Sequence, residues 1–173
     1  ARHGGGGGGE GQAPYVSGQY LPGGAVPDSR SATRGVTVNL QIMGPQDTGQ
    51  GTDRLEWIED LYGSAFNDLL TGTSTGPNLL MGFGGADRLS GDHGNDTLVG
   101  GDGDDIIDGG FGDDTLDGGE GLDIAVYGGP RSNYVIATGP DGVTTIPDTA
   151  TYNQTGRLRG VGQLGFSGGL YDI

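Results

Sequence analysis

The chain has 173 residues, of which 41 are glycine and none is cysteine, and its formal net charge is −15 at pH 7. All eight basic residues are arginines scattered along the chain, so no basic patch could neutralise the phosphates of a nucleic acid. The absence of cysteine excludes a disulfide framework, and no apolar run approaches the roughly 18–20 residues that cross a bilayer.

Residues 1–31 predict an irregular N-terminal arm. They include six consecutive glycines, Gly4 to Gly9, followed by several prolines, and they show little hydrophobic periodicity. Glycine and proline at this density favour a flexible arm or linker over a packed element.

Residues 32–81 predict short strands that lead into a repeat region. The segment GVTVNLQIM alternates in the manner of a β-strand. Alternation would place its four apolar residues on one face: Val36, Val38, Leu40 and Ile42. A glycine-rich turn is expected to follow over residues 44–51.

The next segment, TDRLEWIEDLYGSAFNDLLTG, allows two interpretations. Its apolar residues Leu55, Ile58 and Leu61 could share one side of a helical turn, or they could lie in solenoid strands. The single tryptophan, Trp57, is expected to pack over the end of the repeats rather than to stack on a ligand.

Five nine-residue blocks run without a gap from Gly82 to Val126. The best-formed blocks read GGDGDDIID, GGFGDDTLD and GGEGLDIAV, of the form G-G-x-G-x-D-x-U-x in which U is a large apolar residue. This period is typical of a parallel β-helix or β-roll. Every block has an aspartate at its sixth position: Asp87, Asp96, Asp105, Asp114 and Asp123.

Each block predicts a tight turn followed by a three-residue strand. Glycines at the first, second and fourth positions would allow positive φ without a Cβ penalty, although Phe83 and Asp92 replace two second-position glycines. Because side chains alternate along a strand, the eighth position should point inward. The inward residues would form an apolar ladder: Leu89, Leu98, Ile107, Leu116 and Ala125.

If one coil takes two blocks, aspartates eighteen residues apart stack on one edge. Strands stack about 4.7–4.9 Å apart, so these like-charged carboxylates need a cation between them. Only His3 and His93 could offer imidazole, which disfavours zinc and copper sites. Carboxylate and carbonyl oxygens in a flexible cage favour calcium over magnesium.

The blocks resemble the RTX (repeats-in-toxin) β-roll of secreted bacterial proteins, the hemolysin-type calcium-binding repeats that serralysins carry in their C-terminal part. The resemblance implies a right-handed parallel β-roll in which each calcium ion lies between two turns of one edge. The paired ligands would be Asp87 with Asp105, Asp105 with Asp123, and Asp96 with Asp114. Fourth-position carbonyl groups would be among the partners: Gly85, Gly94, Gly103, Gly112 and Gly121.

The spacing of the sixth-position residues continues upstream of the blocks but becomes less regular. Asn78 lies nine residues before Asp87, and Asp68 lies ten residues before Asn78. Asparagine offers only a neutral oxygen, so the site shared by Asn78 and Asp96 should bind calcium more weakly. An insertion near Gly72 leaves open whether Asp68 stacks in line.

Residues 127–173 predict a β-rich C-terminal cap. SNYVIATGPDGVTTIPD, from Ser132, is typical of two strands around a G-P-D-G turn. The final segment supplies the apolar anchors Leu164, Phe166 and Tyr171, and its F-S-x-G element resembles the segment that follows RTX repeats. Capping the open end of the solenoid is favoured over recognition during secretion because of these anchors.

No enzyme is expected within this chain. It lacks H-E-x-x-H and G-x-S-x-G, and a catalytic carboxylate pair has no reason to recur every nine residues. The sequence predicts a calcium-binding structural or adhesive module of a secreted or cell-surface protein, and the RTX resemblance implies type I secretion with folding outside the cell.

Two alternatives remain for its role. The chain could be the C-terminal tail of a secreted hydrolase whose catalytic domain precedes Ala1, or a subunit of a self-assembling surface layer or filament. The expected partners are calcium ions, with other protein subunits or a surface polysaccharide as further candidates, but neither a nucleic acid nor a membrane span.

Overall fold

The computed structural model describes residues 32–47, 52–55, 58–148 and 154–173. Two stacked seven-stranded sheets and one hairpin form an all-β architecture, and the described residues contain no α-helix. The strands are β1 (Thr37–Asn39), β2 (Pro45–Asp47), β3 (Thr52–Arg54), β4 (Asp60–Tyr62), β5 (Leu69–Thr71), β6 (Leu79–Gly84), β7 (Arg88–Ser90), β8 (Thr97–Asp102), β9 (Ile106–Asp108), β10 (Gly112–Glu120), β11 (Ile124–Val126), β12 (Ala137–Thr138), β13 (Thr144–Ile146), β14 (Gln154–Arg159), β15 (Gln163–Phe166) and β16 (Gly169–Asp172).

Successive strands of the repeat region alternate between the two sheets. The first sheet has the order β1-β5-β7-β9-β11-β15-β16, and the second has the order β12-β13-β14-β10-β8-β6-β4. Parallel pairing sets Leu89 beside Ile107 and Leu98 beside Leu116, each eighteen residues further along the chain. The parallel β-roll and its two-block coil are thereby confirmed.

The predicted apolar ladder forms the core of the roll. All five eighth-position side chains are at most 2% exposed. Leu61, Leu70 and Leu80 extend the ladder upstream, and Leu158 and Leu164 extend it into the C-terminal segment. One inward residue per block therefore gives a narrow but continuous core from β4 to β15.

The upstream segment joins the same roll. Leu61 lies in the solenoid strand β4, as one of the two interpretations predicted, and Leu55 and Ile58 are buried; no helical turn is found in residues 52–55 and 58–62. Val36 and Val38 face the core as predicted, but the prediction for Ile42 was wrong, because this residue is 47% exposed. The chain turns after β1, where the Ile42 N–H donates to the Asn39 carbonyl oxygen.

Residues 45–47 of the predicted glycine-rich turn form one strand of a hairpin, and residues 48–51 lie outside the described residues. β2 pairs antiparallel with β3, and Pro45 stands opposite Arg54. The arm predicted over residues 1–31 and the prediction for Trp57 lie outside the described residues. In the described part of the chain, no helix is long and apolar enough to cross a membrane.

The C-terminal segment caps both sheets of the roll. β14 and β15 continue the two sheets in parallel, beside β10 and β11 respectively. β13 then pairs antiparallel with β14, and β16 pairs antiparallel with β15, so the parallel stacking ends in both sheets. The predicted G-P-D-G turn joins β12 to β13, where the Gly139 N–H donates to the Val143 carbonyl oxygen at 2.9 Å.

An aromatic cluster fills the space beneath this cap. The rings of Tyr127, Tyr134 and Phe166 have their centroids 5.2–5.9 Å apart, and all three residues are buried. Leu164 and Phe166 are anchors as predicted. Tyr171 is not: it is 41% exposed and meets only the edge of the cluster, 5.7 Å from the Phe166 ring.

Candidate metal centre

The sixth-position residues stack on two edges of the roll, just before or within the strands. Each main-chain N–H of these residues donates to Oδ1 of the sixth-position residue one coil further on. On the first edge the bonds join Asp68 to Asp87 (2.7 Å), Asp87 to Asp105 (2.8 Å) and Asp105 to Asp123 (2.9 Å). On the second edge they join Asn78 to Asp96 (2.7 Å) and Asp96 to Asp114 (2.9 Å).

Asp68 stacks in line despite the inserted residue. The turn that follows β5 takes one residue more than its neighbours between Gly72 and Gly76. Gly76 has φ of +102°, and its carbonyl oxygen lies against the position that a Cβ on Gly94 would take, just as the Gly94 oxygen lies against that position at Gly112. The turn therefore absorbs the insertion without shifting the strands.

The stacked carboxylates are separated by main-chain amides rather than set directly against one another. Oδ1 of each carboxylate accepts an N–H from the preceding coil, and this contact offsets part of the repulsion along the edge. The other carboxylate oxygen, Oδ2, shows whether the edge needs a further binding partner. Oδ2 of Asp87, Asp96, Asp105 and Asp123 is buried and has no hydrogen-bond donor among the described residues.

First-position glycines are required for a steric reason that the sequence interpretation missed. Their φ values are not positive, unlike those of the second- and fourth-position glycines. A Cβ on Gly82 would lie within 2.6 Å of both Asp87 Oδ2 and the Gly100 carbonyl oxygen. Only the absence of a side chain lets the carboxylate fold back against its own turn.

The second position keeps its conformation even where glycine is lost. Phe83 and Asp92 both have φ of 78°, in the left-handed region that side chains rarely adopt. The surrounding coils hold them there, since Phe83 pairs with Gly101 in the sheet.

The same first-position geometry brings main-chain carbonyl oxygens to the unpaired carboxylate oxygens. Both oxygens of a pair lie within 2.6 Å of the Cβ position of one first-position glycine, and the pairs are Gly100 O with Asp87 Oδ2, Gly109 O with Asp96 Oδ2, and Gly118 O with Asp105 Oδ2. Sequence reasoning assigned this role to fourth-position carbonyls instead. The structure places the oxygens of Gly85, Gly94 and Gly103 against the fourth-position glycine of the next coil, Gly103, Gly112 and Gly121, so their part in metal binding stays a prediction.

Burial makes these carboxyl groups resist ionisation. Loss of solvent, with smaller contributions from neighbouring aspartates, raises the pKa of Asp87 to about 7. The same causes raise the pKa of Asp105 to about 6 and that of Asp114 to about 7. Burial also raises the pKa of Asp96 and Asp123. Without a counter-ion, therefore, the edges hold protons more strongly than ordinary carboxylates do.

Asp68 and Asn78 differ from Asp87, Asp96, Asp105 and Asp123 because residues of their own turns donate hydrogen bonds to their side chains. Ser64 donates its N–H to Asp68 Oδ2 at 2.5 Å and its hydroxyl to Asp68 Oδ1 at 2.9 Å. Thr73 donates its N–H to Asn78 Oδ1 at 2.7 Å. Both residues stack with the array, but their role as metal ligands stays a prediction.

The donor set of the block turns fits calcium. A buried, unpaired carboxylate oxygen beside a main-chain carbonyl oxygen forms a hard, all-oxygen environment, which calcium prefers. Among the described residues no three acidic, histidine or cysteine side chains converge on one point, so main-chain oxygens would supply the remaining ligands. His93 is exposed as expected and contacts Asp92 and the Phe111 ring.

Comparison with known families agrees with this geometry. A family model described as the RTX calcium-binding nonapeptide repeat, with four copies, matches residues 62–98 and 91–125. No curated protein matches the chain. The family match begins within β4 and ends within β11, and so covers the same stacked turns. Residues 62–125 of this chain are therefore RTX calcium-binding nonapeptide repeats of the hemolysin type.

Proposed function

We propose that the chain is a calcium-stabilised structural or adhesive module of a secreted or cell-surface bacterial protein. One observation carries this proposal. Asp87, Asp96 and Asp105 each present a buried carboxylate oxygen, without a donor in the described part of the chain, beside a main-chain carbonyl oxygen of the next coil. A buried charge of this kind is very costly unless a cation or a proton pairs with it.

Calcium binding would couple directly to folding. The ligands come from successive coils and converge only in the stacked roll, so the ion binds the folded chain in preference to the unfolded one. The narrow ladder of one inward residue per block offers little apolar burial against the entropy of ordering glycine-rich turns. The roll should therefore be largely unfolded when calcium is scarce.

This coupling supports an extracellular setting. Extracellular calcium modules bind with dissociation constants of about 10⁻⁴ to 10⁻³ M, which suits folding where calcium is plentiful. RTX repeats usually belong to secreted proteins, and the acidic, cysteine-free composition is compatible with such a setting. A type I secretion route and a role without catalysis are part of the same proposal.

Far-UV circular dichroism during a calcium titration tests the proposal. The chain in excess chelator should give a largely disordered spectrum and should gain β signal cooperatively as calcium is added. Magnesium at the same concentration is the control and should produce little change, because it binds all-protein oxygen cages poorly. A full β spectrum in chelator would contradict the proposal.

A self-assembling surface subunit is the second candidate. It is favoured by β16, the outer strand of the first sheet, whose four residues are all exposed. An unpaired strand edge can accept a strand from another chain. Light scattering with and without calcium separates the two candidates, because a stable monomer in calcium would contradict assembly.

A further inference from the structure

Five spaces between successive turns share one geometry, and each is named here by the first-position glycines of its two turns. At each, a sixth-position side-chain oxygen and the carbonyl oxygen of the next first-position glycine lie within 2.7 Å of one point, the Cβ position of the first glycine. The upstream intervals are Gly63–Gly82 and Gly72–Gly91. The downstream intervals are Gly82–Gly100, Gly91–Gly109 and Gly100–Gly118.

The upstream and downstream intervals differ in what occupies that space. In the downstream intervals the carboxylate oxygen, Oδ2 of Asp87, Asp96 or Asp105, is buried and meets no donor from the described residues. In the upstream intervals two donors already point at the sixth-position side chain. They are the N–H and the hydroxyl of the second-position residue, Ser64 for Asp68 and Thr73 for Asn78.

Backbone conformation at the second position explains the difference. In the downstream turns this residue has positive φ, as in Phe83, Asp92 and Gly101. No bond from its N–H to the sixth-position carboxylate is found in those turns. Ser64 and Thr73 do not have positive φ, and their amides close onto the side chain of the same turn.

Hydrogen-bond donors aimed at an oxygen compete with a cation for it. An N–H or O–H presents its positive end, so these bonds oppose the approach of a calcium ion to Asp68 or Asn78 and occupy lone pairs that would otherwise be open to it. Asn78 carries a further obstacle, because its Nδ2 donates to the Glu59 carbonyl oxygen at 2.9 Å. Asp68 Oδ1 additionally accepts the Val36 N–H at 2.7 Å.

The last two turns differ from the downstream intervals. The three atoms nearest to a Cβ on Gly109 all belong to Asp114, and those nearest to a Cβ on Gly118 all belong to Asp123. Asp123 Oδ2 is without a donor among the described residues, but a carbonyl oxygen of a following coil is not among these nearest atoms. Three intervals therefore combine a free carboxylate oxygen with a carbonyl oxygen at the same point.

We propose that the hydrogen bonds from Ser64 and Thr73 seal the two upstream intervals against calcium, so that the roll binds three ions, one in each downstream interval. This inference rests on the proposed calcium-binding function. The coil formed by residues 63–78 is then a metal-independent base on which the calcium-dependent coils stack. A match to the repeat family over residues 62–98 does not by itself make each matched turn a metal site.

The number of tightly bound ions in the full chain is the first test. Equilibrium dialysis against buffered calcium should give three saturable sites. Five sites would overturn the sealed upstream intervals while leaving calcium binding intact. No saturable binding would overturn the proposed function itself, so the two failures are distinguishable.

A matched pair of variants locates the sites. Asp68 and Asp87 are neighbours on one edge, both buried, and Asp→Asn keeps an oxygen to accept the stacking N–H. Asp87→Asn should bind one ion fewer than the original chain, whereas Asp68→Asn should still bind three. Loss of an ion in Asp68→Asn, with its circular dichroism in saturating calcium unchanged, would overturn the inference.

A gain of binding provides a test that does not depend on a weakened fold. Ser64→Gly removes the hydroxyl and lets the second position adopt positive φ, as in the downstream turns, so this variant should bind a fourth ion. Ser64→Ala is the control: it removes the hydroxyl but keeps a Cβ that opposes positive φ, and it should still bind three. A count of three in Ser64→Gly would contradict the sealing role of Ser64.

Discussion

The roll and its C-terminal cap both have a small core, but different interactions stabilise them. Each block of the roll buries one aliphatic side chain and one aspartate, and the aspartates line the edges as stacked, solvent-free carboxylates. The cap instead gathers Tyr127, Tyr134 and Phe166 into one cluster and turns the chain back into antiparallel strands.

The contrast shows which part of the molecule has a stability that depends on calcium and pH. The stability of the cap comes from apolar burial and ring packing, which calcium does not affect directly. The stability of the roll depends on what neutralises its edges. Perturbations of the edges should therefore change the number or affinity of calcium sites, whereas perturbations of the cap should change stability without changing the number of sites.

The largest effect is expected from Gly100→Ala. The added methyl group would lie 2.6 Å from the Gly118 carbonyl oxygen and closer still to Asp105 Oδ2, so it would displace the carboxylate from its turn. We expect a loss of at least about 3 kcal/mol in the free energy of unfolding at saturating calcium, measured by denaturant titration.

Gly84→Ala is the matched control for this variant. Gly84 occupies a third position, has no positive φ, and the nearest atom to its Cβ position is 3.8 Å away. Its cost should stay within about 0.5 kcal/mol. Equal effects in the two variants would remove the steric account of the first position.

The next largest effect is expected from Asp105→Asn. A neutral amide removes one charge from the ligand set at the middle of the first edge, and ligand charge governs calcium affinity. The calcium concentration at the folding midpoint should rise by on the order of tenfold or more. Asp102→Asn, at an exposed third position, should shift the midpoint little, and a larger shift there would point to diffuse charge rather than to a site.

An effect on stability without an effect on the number of bound ions is expected in the cap. Phe166→Ala removes a buried ring and should cost about 3–5 kcal/mol at saturating calcium without lowering the number of bound ions. Tyr171→Ala is the control, because its exposed ring touches only the Phe166 edge and should cost far less. Loss of bound calcium in a folded Phe166→Ala chain would contradict the separation of roll and cap.

A partial recovery of structure is expected from acidification in excess chelator. The folded-state pKa values of Asp87, Asp105 and Asp114 are raised to about 7, 6 and 7, above the ordinary value near 4. The contribution of these groups to stability is then complete below about pH 4 and is lost as the pH rises through about 6 to 7.

Lowering the pH from 8 to 5 in chelator should therefore recover part of the β signal in circular dichroism. In saturating calcium the sign should reverse, because protons compete with the ion for the same oxygens. A β signal that falls on acidification in chelator would contradict the raised pKa values.

Periodicity was sufficient to predict the repeating part of this molecule. A strict nine-residue period fixed the inward position, and the coil of two blocks then followed, because each coil repeats the one before it. The strand prediction that included Ile42 failed because alternation does not detect the turn after β1, where the Asn39 side chain accepts the Gln41 N–H at 2.8 Å. Tyr171 failed because sequence does not show that the cluster is already filled.

The chemistry at the edges was less accessible from the sequence. The sequence indicates only a turn requirement at the first-position glycines, because their steric role depends on the direction in which the carboxylate folds back. It does not indicate a role for Ser64 and Thr73, since a hydroxyl residue in place of a second-position glycine resembles simple decay of the motif. Their hydrogen bonds become visible only when the turns are compared in three dimensions.

The way the cap joins the roll also constrains how the length of the protein can vary. β14 pairs with β10 of the second sheet and β15 pairs with β11 of the first, so the cap fits only when the last repeat strand lies in the first sheet. Insertion or deletion of a single nine-residue block would exchange the two sheets beneath the cap. A change of two blocks would leave each cap strand beside the same sheet. The length of the roll can therefore change only by even numbers of blocks if the cap is to pair as it does now.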